Sequence, residues 1–336
     1  MTDTMTEVLP PVTKPTPRSL KSAPVVADRV FRTTSYAAGA ITVAIMLAVG
    51  VFLTARAGDA LAVAGPSFLT TQEWSPETGT FGVAAVLFGT VTIALVAMAV
   101  SVPLAMGTAL LISEIAPVTV RGFLVTMVDL MAAVPSVVFG LWGVFFLQSG
   151  VIPVAQWISI YFGWIPLFQV TDPAGARLTE AGAFTSSAFI AGIVVALMVV
   201  PTQTSVMREA FSQAPLGERE GALALGSTRW GMIRAVVLPF GRGGIIGGTM
   251  LGLGRALGET IAVVMIISPI FTINTQLLKT GTNSVSALIA LRYGEASQFG
   301  LSALMAAGLV LFIITLIVNF TASTIVARSR SGAESN

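Results

Sequence analysis

The chain has 336 residues, of which 54% are hydrophobic and 10% are charged, and its formal net charge is +2. Soluble domains carry about 25% charged residues, so this composition excludes an ordinary water-covered surface and indicates an integral membrane protein. The sequence contains no cysteine and no histidine, which excludes disulfides, metal sites with Cys or His ligands, and catalytic triads built on these side chains.

Six apolar stretches are long enough to cross a hydrocarbon core of about 30 Å as helices. Lipid permits only helices or closed barrels, and these stretches are much longer than barrel strands. The spans are predicted near residues 36–55, 81–112, 124–148, 186–207, 243–268 and 299–326. The predicted fold class is therefore an all-α integral membrane bundle of six transmembrane helices.

The segments outside these spans differ in character. Residues 1–34 are polar and contain several prolines, and they are predicted to form a flexible tail. The first span begins too far from the N-terminus for a cleaved signal peptide. The second is long and carries Pro103, where a kink is expected. Residues 151–168 are apolar but broken by two prolines, and they are predicted to form a separate interfacial or re-entrant piece.

The distribution of basic residues orients the predicted bundle. If both termini are cytoplasmic, the cytoplasmic segments carry 13 of the 18 Lys and Arg residues and the opposite side carries four. The remaining one, Arg255, lies inside a span. This is the bias that the positive-inside rule expects, and the reverse orientation would invert it. Both termini are therefore predicted to be cytoplasmic.

The third span carries polar residues at two depths. Asp129 lies about five residues from its cytoplasmic end, or roughly 8 Å deep. Pro135 is expected to kink the helix, and Ser136 would offer a hydroxyl to a cavity. These residues are consistent with a substrate path. The alternative is that Asp129 only caps a helix or reaches to the membrane interface.

The segment 218–239, EREGALALGSTRWGMIRAVVLP, interrupts the apolar sequence with five charges. Glu220 lies in the first turn of a predicted helix, where the helix dipole favours carboxylates. Gly226 is expected to let another backbone approach closely. Four apolar residues recur at roughly helical spacing and predict one apolar face: Leu223, Trp230, Ile233 and Val237. An amphipathic loop lying on the membrane is the alternative.

The fifth span contains a charged pair in the sequence LGLGRALGETIAVV. Arg255 and Glu259 are four residues apart and are expected to share one helical face near the membrane midplane. A charge there costs at least about 2.5–3.5 kcal/mol, so it should face the bundle interior or a wet cavity. Arg255 would attract an anion. Glu259 would hold the Arg255 side chain in position or prevent Arg255 from trapping the anion. A structural ion pair is the alternative. Glycines four residues apart in this span indicate close helix packing.

One spacing pattern in 218–239 resembles the EAA loop of ABC-importer permeases. Glu220-Gly221-Ala222, three residues, Gly226, nine residues and then Val236-x-Leu238-Pro239 match E-A-A-x3-G-x9-I-x-L-P, with mild departures at Gly221 and Val236. The resemblance implies a coupling helix that docks into a groove on a separate ATPase subunit. The chain itself has no phosphate-binding loop of the GxxxxGK[ST] type, so ATP and Mg²⁺ would be bound by that partner and no cofactor by this chain.

Several further stretches resemble the PstC-type permease of the phosphate-specific ABC importer. They are AAVPSVVFGLWG, GRALGETIAV, and Phe68 with Trp74-x-Pro76. Sulfate and molybdate permeases usually continue the Gly-Glu element with Phe-Gly-Ala, where this chain has Thr260-Ile261-Ala262. By position, the family's charged transport pair falls on Arg255 and Glu259.

This resemblance implies a type I, MetI-like permease domain over residues 81–327, preceded by a first helix and extracytoplasmic loop over 35–80 and followed by a cytoplasmic tail over 328–336. The implied partners are a second homologous permease, two ATPase subunits, an extracytoplasmic phosphate-binding protein, phosphate and the lipid bilayer, with no nucleic acid. The implied location is the bacterial inner membrane. Other oxyanions, namely sulfate, molybdate or phosphonate, stay open as substrates. A proton-coupled secondary transporter using Asp129, Arg255 and Glu259 is the alternative from another class.

Overall fold

The computed structural model describes residues 26–330. Contacts divide the chain into two units, residues 1–49 and 50–336. The described part of the first unit, residues 26–49, is helical. Most of the predicted tail 1–34 lies outside the described residues, but its last part belongs to this helix. The helix therefore begins well before the predicted start at residue 36.

Residues 26–330 are mostly helical, and their one pair of strands is the two-residue antiparallel pairing of β1 (Trp74–Ser75) with β2 (Thr80–Phe81). The helices are α1 (Val26–Ala64), α2 (Ala84–Leu110), α3 (Val118–Ala132), α4 (Ser136–Trp142), α5 (Gln148–Phe162), α6 (Ala188–Ser212), α7 (Leu216–Ala224), α8 (Arg229–Met232), α9 (Leu238–Phe240), α10 (Arg242–Gly258), α11 (Ile261–Ile266), α12 (Val285–Arg292) and α13 (Gln298–Arg330). Single π-helical turns join some of them, at Leu111–Ile115, Gly143–Leu147 and Ile233–Val237.

Within residues 26–330, five helical stretches are long and apolar enough to cross a membrane, or six if the bent pair Arg229–Phe240 and Arg242–Gly258 counts as one span. These six match the six predicted spans in number and order, but two differ in their bounds: the third covers Ser136–Phe162 instead of 124–148, and the bent pair covers 229–258 instead of 243–268. The second span is helical through Pro103, and the sixth begins at Gln298, as its apolar pattern predicts. The chain is thus a multi-pass helical membrane protein.

The centre of the second unit is formed by α2, α6 and α10. α2 and α6 run parallel. Gly192 packs against Val96, and further along both helices Thr204 lies beside Ala105, so the contacts advance in the same direction on the two helices. α10 crosses α6 in the opposite direction through glycines. A methyl group at Gly244 would collide with Ala210, and one at Gly252 would collide with Gln203. The four-residue glycine spacing therefore serves close helix packing, as predicted.

The third predicted span is divided by a helix break. α3 ends at Ala132 and α4 begins at Ser136, because Pro135 cannot donate a helical hydrogen bond and disfavours helical geometry in the residue before it. The kink expected at Pro135 is thus a full interruption. Both pieces pack along α6 in antiparallel fashion, since Asp129 contacts Ser205 and Gly143 lies against Val194.

The prediction of a separate interfacial piece at 151–168 is wrong for most of its length. The helix that begins at Ser136 continues through the π turn and α5 to Phe162, and Pro153 lies inside α5. Pro153 is tolerated because a helix can absorb one proline when a local π turn or a neighbour satisfies the freed carbonyl groups. Only Pro166–Phe168 forms a separate short turn, of 3₁₀ type.

The fifth predicted span, 243–268, is not one helix. α10 ends at Gly258, Glu259 adopts an extended conformation, and α11 runs only from Ile261 to Ile266. At the other end, α10 is bent by 67° from the preceding helical segment. Gly241 separates the two segments, and the side chain of Phe211 fills the space where a side chain at residue 241 would lie.

Candidate functional site

Arg255 is half-buried on α10, inside the membrane-spanning part of the chain. Its Nη1 donates a hydrogen bond to Thr202 Oγ1 on α6 at 3.3 Å. The side chain also borders a cavity of about 620 Å³. The walls of this cavity are mostly apolar and are formed by Leu53, Met250, Leu251, Gly254, Arg255, Gly258, Gly308, Leu311, Phe312, Thr315 and Asn319. Arg255 thus borders an open cavity rather than lying in a packed core, as a charge in an apolar span requires.

Glu259 does not share a helical face with Arg255. It lies just beyond the end of α10, where its carboxylate accepts a hydrogen bond from the backbone N–H of Ala262 at 3.2 Å and so caps α11. Its backbone carbonyl accepts a hydrogen bond from Ser286 Oγ at 2.8 Å. The expectation that Arg255 and Glu259 share one face of a helix is therefore wrong, because α10 ends at Gly258, one residue before Glu259.

The described part of the chain gives Arg255 no carboxylate partner within the 4.0 Å limit of an ion pair. Ion pairs in residues 26–330 join Arg219 with Glu114 and Arg292 with Glu295. Arg255 is instead held by the neutral hydroxyl of Thr202. Its positive charge therefore stays uncompensated by the protein groups that hold it.

Thr260 and Ser136 mark the two helix breaks. Thr260 precedes α11, and its hydroxyl donates to the carbonyl oxygen of Gly258 at 3.2 Å. Ser136 is the first residue of α4 and is half-buried. The two short helices pack side by side, with Gly140 against Ala262. Two interrupted helices thus lie next to each other in the region where the sequence places the transport residues.

Asp129 lies on α3, and its carboxylate accepts a hydrogen bond from Ser205 Oγ on α6 at 3.3 Å. Ser205 is seven residues before the end of α6 at Ser212, which corresponds to about 10 Å. The Asp129 side chain is exposed, so it is available to groups that approach α3.

The segment 218–239 contains two helical pieces rather than one. α7 ends at Ala224, and Gly226 has φ of +84°, a left-handed conformation that favours glycine. The N–H of Ser227 bonds to the carbonyl of Ala222 at 3.1 Å, which completes a Schellman-type helix end. Among residues 26–330, apart from the two chain neighbours, no atom lies within 4 Å of the position that a Cβ of residue 226 would occupy. The backbone conformation, not a close approach within the chain, explains this glycine.

The single apolar face predicted for this segment is wrong, because the turn at Gly226 separates its residues. Ile233 and Val237 are buried against the ends of α2 and α6. Other large apolar side chains stay exposed, namely Leu216, Leu223, Leu225 and Trp230, at 68%, 43%, 91% and 62%. Among the motif residues, Glu220, Gly221 and Pro239 are exposed, while Ala222 and Leu238 pack against the buried cluster.

A buried ion pair attaches α7 to the ends of two long helices. Arg219 Nη1 lies 3.2 Å from each oxygen of the Glu114 carboxylate, which is in the π turn that ends the second span. Arg219 Nη2 donates to the carbonyl of Phe211 in α6 at 2.5 Å. The Glu114 side chain is only 3% exposed. The charged groups are therefore removed from water and held by specific partners.

Sequence reasoning missed Glu114, Arg219, Thr202 and Ser205. A signal for the last two was present, since PTQTS (201–205) places four consecutive polar residues inside an otherwise apolar span. Polar groups at this depth are costly unless they find partners, so such a run marks contacts. The pairing of Glu114 with Arg219 joins residues 105 positions apart and leaves no local pattern.

Comparisons with known proteins place the chain in a family. The profile of the binding-protein-dependent transport system inner membrane component matches residues 101–331. The "Phosphate transport system permease protein PstC 2" of Mycobacterium tuberculosis is 36% identical over 330 residues, which cover 97% of this chain and 100% of that protein. The "Phosphate transport system permease protein PstC" of Xylella fastidiosa is 36% identical over 317 residues, covering 94% and 95%.

Solved structures show the same fold at low identity. A bacterial ABC transporter involved in the import of alginate matches with a TM-score of 0.53 and 17% identity, over 89% of this chain and 99% of that chain. An inward-facing MetNI methionine ABC transporter matches with a TM-score of 0.50 and 14% identity, over 74% and 95%. These similarities confirm the MetI-like permease fold.

Proposed function

The chain belongs to the family of binding-protein-dependent transport system inner membrane components, and we propose that it is the permease subunit through which an ATP-driven importer moves inorganic phosphate. The observation that carries this conclusion is the similarity to phosphate permeases over nearly the full length of both chains. This range includes the motif residues of 218–239 and the Arg255 region. Phosphate, rather than sulfate, molybdate or phosphonate, is therefore the substrate.

The geometry around Arg255 suits transient anion binding. Its guanidinium is oriented by Thr202 and borders a cavity, and Glu259 caps α11 instead of neutralising it. An oxyanion can therefore meet an uncompensated positive charge. One charge surrounded by mostly apolar walls binds an anion less tightly than a dense Arg cluster would, and transport requires sites weak enough to release their cargo. Thr260, Ser136 and Asp129 complete the proposed path.

The segment 218–239 is the proposed coupling loop. The exposed apolar side chains in this segment and just before it, Leu216, Leu223, Leu225 and Trp230, suit insertion into a hydrophobic groove of an ATPase subunit. Glu220 and Gly221 are exposed beside them. The Arg219–Glu114 pair and the contact of Arg219 with Phe211 join this loop to α2 and α6. Movement of the docked loop would therefore reach the helices that surround Arg255.

The remaining parts of the machine are proposed as separate chains. Two ATPase subunits would bind ATP and Mg²⁺, a second homologous permease would complete the pathway, and an extracytoplasmic protein would deliver phosphate. This chain is then a non-catalytic subunit of the bacterial inner membrane. The positive-inside bias supports cytoplasmic termini and a cytoplasmic position for 218–239.

Phosphate uptake by proteoliposomes that contain the assembled complex tests this function. We expect uptake to require both the binding protein and ATP, and Arg255→Gln to reduce it at least tenfold while the complex still assembles. Arg292→Gln removes a half-exposed charge outside the path and is the matched control. Uptake of sulfate or molybdate instead of phosphate would contradict the substrate. Uptake driven by a proton gradient without ATP would contradict the ABC mechanism.

A further inference from the structure

Two hydroxyl groups of α6 hold the two opposite charges of the pathway. Thr202 accepts a hydrogen bond from Arg255 Nη1 of α10, and Ser205 donates one to Asp129 of α3, each at 3.3 Å. Residues three positions apart lie on one face of a helix, separated by about 4.5 Å along its axis. α6 therefore holds Arg255 and Asp129 at adjacent turns of the same face.

The order of these two charges along α6 follows the direction of transport. Ser205 is nearer than Thr202 to the end of α6, which leads into α7. In the proposed orientation, an imported anion leaves Arg255 on the side where Asp129 lies. The ionised carboxylate of Asp129 accepts hydrogen bonds and donates none. It therefore competes with the anion for the guanidinium of Arg255.

The structure also gives α3 room to move. None of its side chains is buried. It is bounded by Pro117 at its start and by the break before Pro135 at its end. One-turn displacements of about 5.4 Å between packed elements are part of the repertoire of switching proteins. Such a step would bring Asp129 from Ser205 to the level of Thr202.

We infer that Thr202 is a positioning residue that presents the Arg255 guanidinium to phosphate, and that Asp129 is the competing group that releases phosphate by pairing with Arg255. This inference rests on the proposed phosphate transport. The neutral hydroxyl of Thr202 orients the guanidinium without cancelling its charge. Asp129 cancels that charge only after it leaves Ser205, so binding and release use different partners of the same arginine.

The test measures uptake and the retention of labelled phosphate by the complete complex in proteoliposomes, with binding protein and ATP. Thr202→Val should lower uptake and shorten retention at least fivefold, and Thr202→Ser should restore both to within about twofold. Asp129→Asn should lower uptake but lengthen retention at least fivefold. The two effects on retention have opposite signs, which a general loss of structure would not produce.

Thr204→Val is the matched control, because the Thr204 hydroxyl is fully buried and faces the carbonyl of Ala105 instead of the path. We expect retention in this variant to equal that of the wild type. Suppose that the wild-type complex is active. If Thr202→Val then leaves uptake unchanged, or Asp129→Asn does not lengthen retention, this inference is overturned while the proposed function stands. A wild-type complex that moves no phosphate would overturn the proposed function as well.

Discussion

Four charged residues differ in the groups that hold them. Arg255 is held by a hydroxyl and Asp129 by another, whereas Arg219 and Glu114 hold each other. A charge removed from water needs hydrogen-bond partners, but only a partner of opposite charge neutralises it. Arg255 can therefore act on a substrate, and the Arg219–Glu114 pair can only act as a structural link.

The Arg219–Glu114 link predicts a specific loss of stability. Arg219→Met leaves the 3% exposed Glu114 carboxylate without its partner, and breaking a buried pair on one side costs about 3–5 kcal/mol. The exposed pair of Arg292 and Glu295, at 3.9 Å, is the control, since such pairs contribute about 0–1 kcal/mol. Thermal unfolding of the complex in detergent should show a clear decrease for Arg219→Met and almost none for Arg292→Met. Equal melting temperatures for the two variants would refute this prediction.

The same pair predicts a functional effect of Glu114→Gln, which keeps the shape of the side chain. The link between α7 and the ends of α2 and α6 should weaken, so ATP hydrolysis would be transmitted less completely. We expect fewer phosphate ions to be moved per ATP hydrolysed while the complex remains assembled. An unchanged ratio of uptake to hydrolysis would show that coupling does not pass through this contact.

At the scale of elements, several of the proposed transport residues lie at interruptions of the helices. The break before α4 follows from Pro135, and the break between α10 and α11 places Glu259 at a helix end. The hydroxyl of Ser286 donates to the backbone carbonyl of Glu259, and the N–H of Ala262 donates to its carboxylate. These bonds take the place of the helical bond that the carbonyl would accept in a continuous helix. Irregular backbone at membrane depth is tolerated where it is buried in protein or lines a cavity.

The turn at Gly226 predicts a difference between two glycines of the proposed coupling loop. Gly226→Ala places a Cβ in the left-handed region, which costs roughly 1–2 kcal/mol. Gly221→Ala is the control, because residue 221 lies inside α7 with no atom near its Cβ position, and alanine favours helices. We expect Gly226→Ala to lower the recovery of ATPase subunits with the purified permease, and Gly221→Ala to preserve it. Equal recovery would mean that the loop does not need this turn.

At the scale of the whole molecule, the absence of cysteine makes the orientation measurable. Ala174 lies in the exposed loop before α6, and Gln213 lies between α6 and α7. We expect a membrane-impermeant thiol reagent to label Ala174→Cys from outside intact cells and to reach Gln213→Cys only after the membrane is opened. The reverse pattern would contradict the proposed positive-inside orientation.

The number and order of the spans could be predicted from the sequence because lipid imposes a length and an apolar composition on every membrane-crossing helix. The family could be predicted from the spacing in 218–239, since this motif lies within one short stretch of sequence. The glycine packing of α10 was likewise visible from its four-residue spacing. Asp129, Arg255 and Glu259 were recognisable because a charge in an apolar span is costly.

Only the tertiary structure decided how those residues are combined. The pairing of Arg255 with Thr202, the link of Arg219 to Glu114 and the bond of Ser286 to the carbonyl of Glu259 depend on contacts between segments that are far apart in the sequence. Helical periodicity placed Arg255 and Glu259 on one face because it assumes an unbroken helix. The helix ends between them, where the carboxylate of Glu259 caps α11 and its carbonyl accepts a bond from Ser286 of α12. The bond from Ser286 comes from packing against a distant segment, which local sequence does not reveal.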